Sequence, residues 1–155
     1  MGKDDPDSFT YTIELLSNRK GYVRELASWA YNEWHRRNNT DFSYVLRDYE
    51  LRAQAHAIPS CWIAFHEDIP VGMVSLKKCD LFHRLDLVPW LSALYVRPPY
   101  RGKGIGSSLI DHSVNAAKEL NYSRLYLFTD RTNTDELTTF YTKRHWVFFD
   151  KSVDM

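Results

Sequence analysis

The chain has 155 residues, 44% of them hydrophobic and 15% aromatic, with 20 basic and 20 acidic side chains and a formal net charge of zero. That length and apolar content predict one domain over residues 1–155, with a core of its own. A balanced charge gives no field to draw the chain to nucleic acid or an anionic membrane, no apolar run is long enough to span a bilayer, and the first residues lack a leader pattern; the expectation is a cytoplasmic protein with neither kind of partner.

In chain order, residues 1–9 are polar and expected to be flexible. Over residues 10–16, Tyr11, Ile13 and Leu15 alternate, which predicts an edge strand. Val23, Leu26, Ala27, Ala30, Tyr31 and Trp34 then recur at helical spacing and predict a helix over 22–35. Asp41 caps a second helix carrying Phe42, Val45, Leu46 and Tyr49 on one side, and Pro59 is expected to end that helical region. Residues 61–65 and 69–76 read as strands joined by the polar turn His66-Glu67-Asp68, an antiparallel hairpin. Residues 77–89 lack a period and lead as a loop into Trp90 and an apolar strand over 91–96. A helix over 107–120 and an apolar strand over 124–128 follow, and strand, helix, strand implies a parallel pair. A short helix over 135–144 and a strand over 146–149 close the chain.

Cys61 and Cys79 are too few for a disulfide framework or a zinc site, and the six histidines show no ligand spacing, so two reduced thiols and no metal are expected.

The chemistry concentrates in Arg101-Gly102-Lys103-Gly104-Ile105-Gly106, between a strand and an amphipathic helix. Glycines there let the backbone approach an anion, the first amides of the helix have no internal partner, and Arg101 and Lys103 add full charges. A phosphate-bearing ligand is expected at residues 101–107, Ser107 included. A Walker loop is excluded because Lys103 lies between glycines, and a dinucleotide fingerprint because its third glycine falls on Leu109 or Ser107. What remains is Arg/Gln-x-x-Gly-x-Gly/Ala, filled by Arg101, Gly104 and Gly106.

In that turn, in Phe140-Tyr141-Thr142-Lys143-Arg144-His145-Trp146, and in the order strand, helix, helix, three strands, helix, strand, helix, strand, the chain resembles the GNAT superfamily of N-acetyltransferases. The resemblance implies a mixed α/β fold with a splayed central parallel strand pair and acetyl-CoA as cofactor. It places the pyrophosphate on the amides of residues 101–107 and the pantetheine arm along Leu94, Tyr95 and Val96, where an amide near Leu94 would stabilise an oxyanion. Tyr141 matches the family's general acid, and a core aromatic is its alternative reading. Many relatives carry a Glu in the strand before the turn, but residues 90–96 hold no carboxylate, which leaves a bound water or an acid from elsewhere; Asp86 and Glu33 are the candidate bases. His145 stands where relatives commonly have Gly, so that turn either adopts a different conformation or leaves the family's αL geometry to a non-glycine residue, and Asn133 lies one position early for the family's cofactor-contacting Asn.

Acceptor choice is implied for the first helices and the arm before the signature strand, where Trp34 and Trp90 are candidate contacts for a cationic amine. The activity implied is N-acetyl transfer to a primary amine of a small molecule or peptide by direct attack, with a non-catalytic acyl-CoA-binding or regulatory module as the alternative. A homodimer is compatible with the resemblance.

Overall fold

One alternating segment, three apolar runs and the helical spacing between them resolve into an antiparallel sheet covered on both faces. The computed structural model describes residues 9–128 and 140–147. In chain order its elements are β1 (Thr12–Leu15), α1 (Val23–Ala30), α2 (Phe42–Leu51), β2 (Ser60–His66), β3 (Ile69–Lys77), β4 (Trp90–Val96) and α3 (Ile105–Glu119). The strands lie side by side in the order β1-β2-β3-β4, each antiparallel to its neighbour.

Because side chains alternate across a strand, the sheet divides its apolar residues between two cores. Cys61, Ile63, Phe65 and Met73 pack with Leu26, Ala30, Val45 and Tyr49 of α1 and α2. Trp62, Ala64, Val74, Leu76 and Leu91 pack on the opposite face with Ile105, Leu109, Ile110 and Ala117 of α3. Covering both faces explains why β2 and β3 are buried almost throughout, and each fully buried Leu or Ile contributes about 1.5–3 kcal/mol.

Gly72 sets how closely α3 beds on the sheet. A Cβ there would lie 3.2 Å from Leu109 Cδ1, 3.2 Å from the Tyr95 carbonyl oxygen and 3.3 Å from Ile105 Cγ2. We expect Gly72→Val to destabilise the protein by about 1–3 kcal/mol through overpacking. Urea unfolding would show it as a lower midpoint at unchanged slope.

Asp41 caps α2 as expected, its carboxylate accepting from the Ser43 amide at 3.0 Å. Other boundaries differ from expectation. The first helix is α-helical only over Val23–Ala30 and continues as a π-helical turn over Tyr31–His35, a wider winding that the same apolar spacing cannot distinguish. The second helix stops at Leu51, well before Pro59. Phe9 is not loose, since its ring stacks on His66 at 4.1 Å; residues 1–8 lie outside the described part.

Among the described residues, the strand expected over 124–128 pairs through a single parallel bridge, Trp90 opposite Tyr126. The Leu91 amide donates to Tyr126 O at 2.7 Å and the Tyr126 amide to Pro89 O at 3.0 Å. Leu125 and Leu127 are only half-buried and Phe128 is exposed, so this segment is not covered on both faces. Of the helix expected over 135–144, the described part is a turn at residues 140–142; Trp146 and Val147 are not in a strand, and residues 148–149 lie outside the described part.

Candidate active site

Past Val96 the chain makes one three-ten turn at Pro98–Tyr100 and then runs through Arg101, Gly102, Lys103 and Gly104 into α3. Gly102 has φ 78° and Gly104 φ 87°, a left-handed geometry that costs a residue with a Cβ about 1–2 kcal/mol. Gly104 precedes the first turn of α3 with no side chain to cap it, and that turn carries no acidic residue. The opening amides and the positive end of a 15-residue helix are therefore left for a ligand. A Cβ on Gly102 would meet nothing within 4 Å, and one on Gly106 only Phe140 and Val96 at 3.9 Å. Open ground in front of these amides fits a diphosphate.

The side chains at this mouth are each held. Arg101 Nε donates to Val96 O at 2.8 Å and its guanidinium lies 5.7 Å from the Tyr95 ring centroid. Lys103 Nζ lies 4.9 Å from the Phe9 ring centroid, so the two cations rest on different aromatic rings. Tyr11 Oη reaches Ser108 Oγ at 2.6 Å and donates to Gly104 O at 3.2 Å, tying β1 to the start of α3. Ile105 turns its side chain into the core. Ser107 Oγ accepts from Arg144 Nε and Nη2 at 2.9 and 2.6 Å, while Arg144 Nη1 donates to Phe140 O at 2.7 Å.

Upstream, β4 is broken by a bulge. Met73 pairs with Tyr95 and Ser75 with Ser92, so Ala93 and Leu94 together oppose Val74, and Ala93 takes φ 53°. Tyr95 faces the α1 side, its ring 5.7 Å from Trp29 and 6.3 Å from Trp34, while Leu94 and Val96 face α3. Trp34, at the π-helical turn, is 39% exposed.

Tyr141 lies on the α3 side with its ring 5.1 Å from Phe140 and 6.0 Å from Trp146. Burial pushes its phenol pKa up, against a smaller lowering by Arg144. His145 holds φ 67°, so of the two alternatives for this turn the left-handed geometry is kept by a non-glycine residue.

Trp90 corrects an expectation. It is only 2% exposed and its indole N–H is taken by Leu87 O at 2.6 Å, so it is a core residue and not a surface for substrate. Asp86 is exposed and accepts from Arg84 Nε at 3.2 Å, the contact that holds its carboxyl below the usual range. Glu33 is exposed at the π-helical turn. Neither carboxylate is enclosed. Asn133 lies outside the described residues.

Over residues 19–146 the chain matches the model of the acetyltransferase (GNAT) family. It belongs to that family. Among solved structures it is similar to the aminoglycoside N-acetyltransferase AAC(6')-Iy in complex with CoA, at 16% identity and a TM-score of 0.77, covering 97% of this chain and 96% of that one. It is also similar to a predicted acetyltransferase from Clostridium acetobutylicum with acetyl-CoA, at 16% identity and a TM-score of 0.68, covering 94% and 96%. Among curated proteins it is 31% identical over 80 residues to the N-alpha-acetyltransferase MAK3 of Arabidopsis thaliana, a match covering 52% of this chain and 41% of that protein. The chain is thus matched to about two-fifths of that relative's length.

Against this GNAT frame, two features of the site escaped the sequence. Arg144 is four residues after Phe140, the spacing at which it wraps back over that ring at 3.6 Å to reach Ser107; the charge inside the C-terminal motif was the available signal. Asp80 sits in the loop before β4 and accepts from Ser92 Oγ at 3.0 Å, a contact that only the tertiary fold creates.

Proposed function

We propose that this GNAT chain is an acetyl-CoA-dependent N-acetyltransferase that acts on a primary amine of a small molecule or peptide by direct attack in a ternary complex. The observation that carries the reading is the pair of left-handed glycines before the uncapped start of α3, directly after a strand interrupted by a bulge. The relatives support it: two of those named are N-acetyltransferases, one of aminoglycosides, and two solved neighbours hold CoA or acetyl-CoA.

In this reading acetyl-CoA supplies an activated acetyl thioester. The amides of residues 101–107 bind its diphosphate, with Arg101 and Lys103 adding charge at the rim, and Leu94, Tyr95 and Val96 offer main chain to its pantetheine arm; Asn133 is the further candidate cofactor contact from the sequence. The bulge takes the Leu94 amide out of regular pairing, which suits it to hold negative charge developing on the acyl oxygen. Tyr141 keeps its proton at neutral pH and gives it to the departing sulfur. Trp34 offers a partly exposed aromatic face to a cationic acceptor. An alkyl amine with a pKa of about 10 is mostly charged at neutral pH, so transfer needs a group to take its proton, and Asp86 and Glu33 are reachable from solvent for that purpose.

The test is release of CoA thiol from acetyl-CoA in the presence of spermidine, kanamycin or a Met-initiated octapeptide. Release above background with at least one acceptor is expected. Stabilisation by acetyl-CoA without release for any amine would make the chain a binding module, which the carboxylate-free strand over 90–96 favours as the second reading. Absence of stabilisation would overturn both, since a hundredfold excess over Kd adds about 2.7 kcal/mol.

A further inference from the structure

Resting on the reading above, we infer that Ser92 and Asp80 form the proton-accepting pair for the acceptor amine, Ser92 meeting the nitrogen and Asp80 acting through it.

The strand that precedes the glycine turn has no carboxylate of its own, but it holds one. Ser92 is the last regularly paired residue of β4 before Ala93 turns left-handed, and it donates to Asp80 Oδ1 at 3.0 Å. Pairing of Ser92 with Ser75 puts it on the α1 and α2 side of the sheet, the side on which Tyr95 meets Trp34. Asp80 is mostly sheltered there, its side chain 16% exposed, and Lys77 Nζ approaches it at 3.5 Å.

A layer of charge beneath fixes this geometry. Ser75 Oγ accepts from Arg52 Nη1 at 3.0 Å, and Arg52 Nη2 donates to Asp48 at 2.6 Å, with the guanidinium over the Tyr49 ring. Among the described residues, Arg52 Nε and Tyr49 Oη are buried with no hydrogen-bond partner. The groups facing Asp80 and its neighbours are Lys77 and Ser75 from β3, Asp48 and Tyr49 from α2, Arg52 just past its end, Cys61 from β2, and His35 from the π-helical turn, which senses Arg52, Asp48 and Lys77.

The step balances without an oxidant or reductant. As the neutral amine forms the C–N bond, its N–H proton passes to Ser92 Oγ and the Ser92 hydroxyl proton passes to Asp80. The C–S bond breaks with its electron pair on sulfur, which takes the Tyr141 proton. Asp80 then loses its proton to solvent and the Tyr141 phenolate regains one from it.

The experiment compares wild type, Asp80→Asn, Asp80→Ala and Ser92→Ala in thiol release, using whichever of spermidine, kanamycin or the octapeptide the wild type acetylates. Asp80→Asn should lower kcat about hundredfold while acetyl-CoA still raises the thermal midpoint as in wild type. Formate should restore Asp80→Ala at least about tenfold in a concentration-dependent way and leave wild type unmoved, a response that a merely structural role would not give. Ser92→Ala should be impaired like Asp80→Asn and not respond to formate. Wild-type kcat in Asp80→Asn, or impairment of Asp80→Ala that formate never relieves, overturns the inference. If Asp80→Asn does not fold, the formate response of Asp80→Ala and the rate of Ser92→Ala decide it. A wild type inactive on all three amines defeats the functional reading instead.

Discussion

Tyr141→Phe is expected to keep acetyl-CoA binding and lose turnover by about 10²- to 10⁴-fold, the usual contribution of a positioned general acid. The substitution removes one oxygen and keeps the ring between Phe140 and Trp146, so stability and the acetyl-CoA thermal shift should be those of wild type. Burial holds the phenol pKa above its ordinary value of about 10, so the acid form persists throughout the neutral range and no alkaline loss of kcat traceable to this group should occur below about pH 10. Thiol release against pH, with differential scanning for binding, checks both halves. An unchanged rate would return Tyr141 to the core stripe that its neighbours also describe.

The second large effect is on binding. Gly106→Asp should abolish measurable stabilisation by acetyl-CoA, weakening affinity at least about hundredfold, while leaving the free protein as stable as wild type or slightly more so. The two signs separate because of where the residue lies. A new Cβ at Gly106 meets only ordinary contacts at 3.9 Å, and a carboxylate in the first turn of α3 complements the helix dipole, which favours the fold by about 0.3–1 kcal/mol. The same carboxylate would stand in front of the amides assigned to the diphosphate, where like charge repels. Isothermal titration with CoA reads the loss; wild-type affinity in a folded variant would remove residues 101–107 from the anion seat.

How much of this was legible in the sequence depended on whether a signal was local. The hairpin of β2 and β3 announced itself as two apolar runs on either side of a polar turn, and the stripe of α3 by helical spacing, both written directly in side-chain order. The Asp41 cap did so because capping needs only the next two residues. The π-helical turn at Tyr31–His35 did not, since hydrophobic spacing over five residues suits either winding. Trp90 read as an exposed aromatic because nothing in its own segment reveals that Leu87, Tyr126 and Phe128 enclose it. The glycine turn was legible as a strand-to-helix junction because glycine there has a backbone reason to be present, whereas Arg144 on Ser107 and Asp80 on Ser92 join residues 37 and 12 positions apart and leave no local trace. Of the candidate bases, Asp86 just upstream of Trp90 and Glu33 at the end of the first helix both face solvent, and the sheltered carboxylate, Asp80, lies in the aperiodic loop over 77–89.

Ala93 can be taken out on paper without disturbing anything else in its strand. Ser92, Leu94, Tyr95 and Val96 would then follow one another in faultless alternation, each still directed to the face it now occupies. The residue is a spare tooth in a comb: a shortened chain should assemble the same layers with a straighter edge, and would forfeit only the jog that lets main chain look outward between two hydrophobic masses. Architecture and reactivity are separable here by a single-codon deletion.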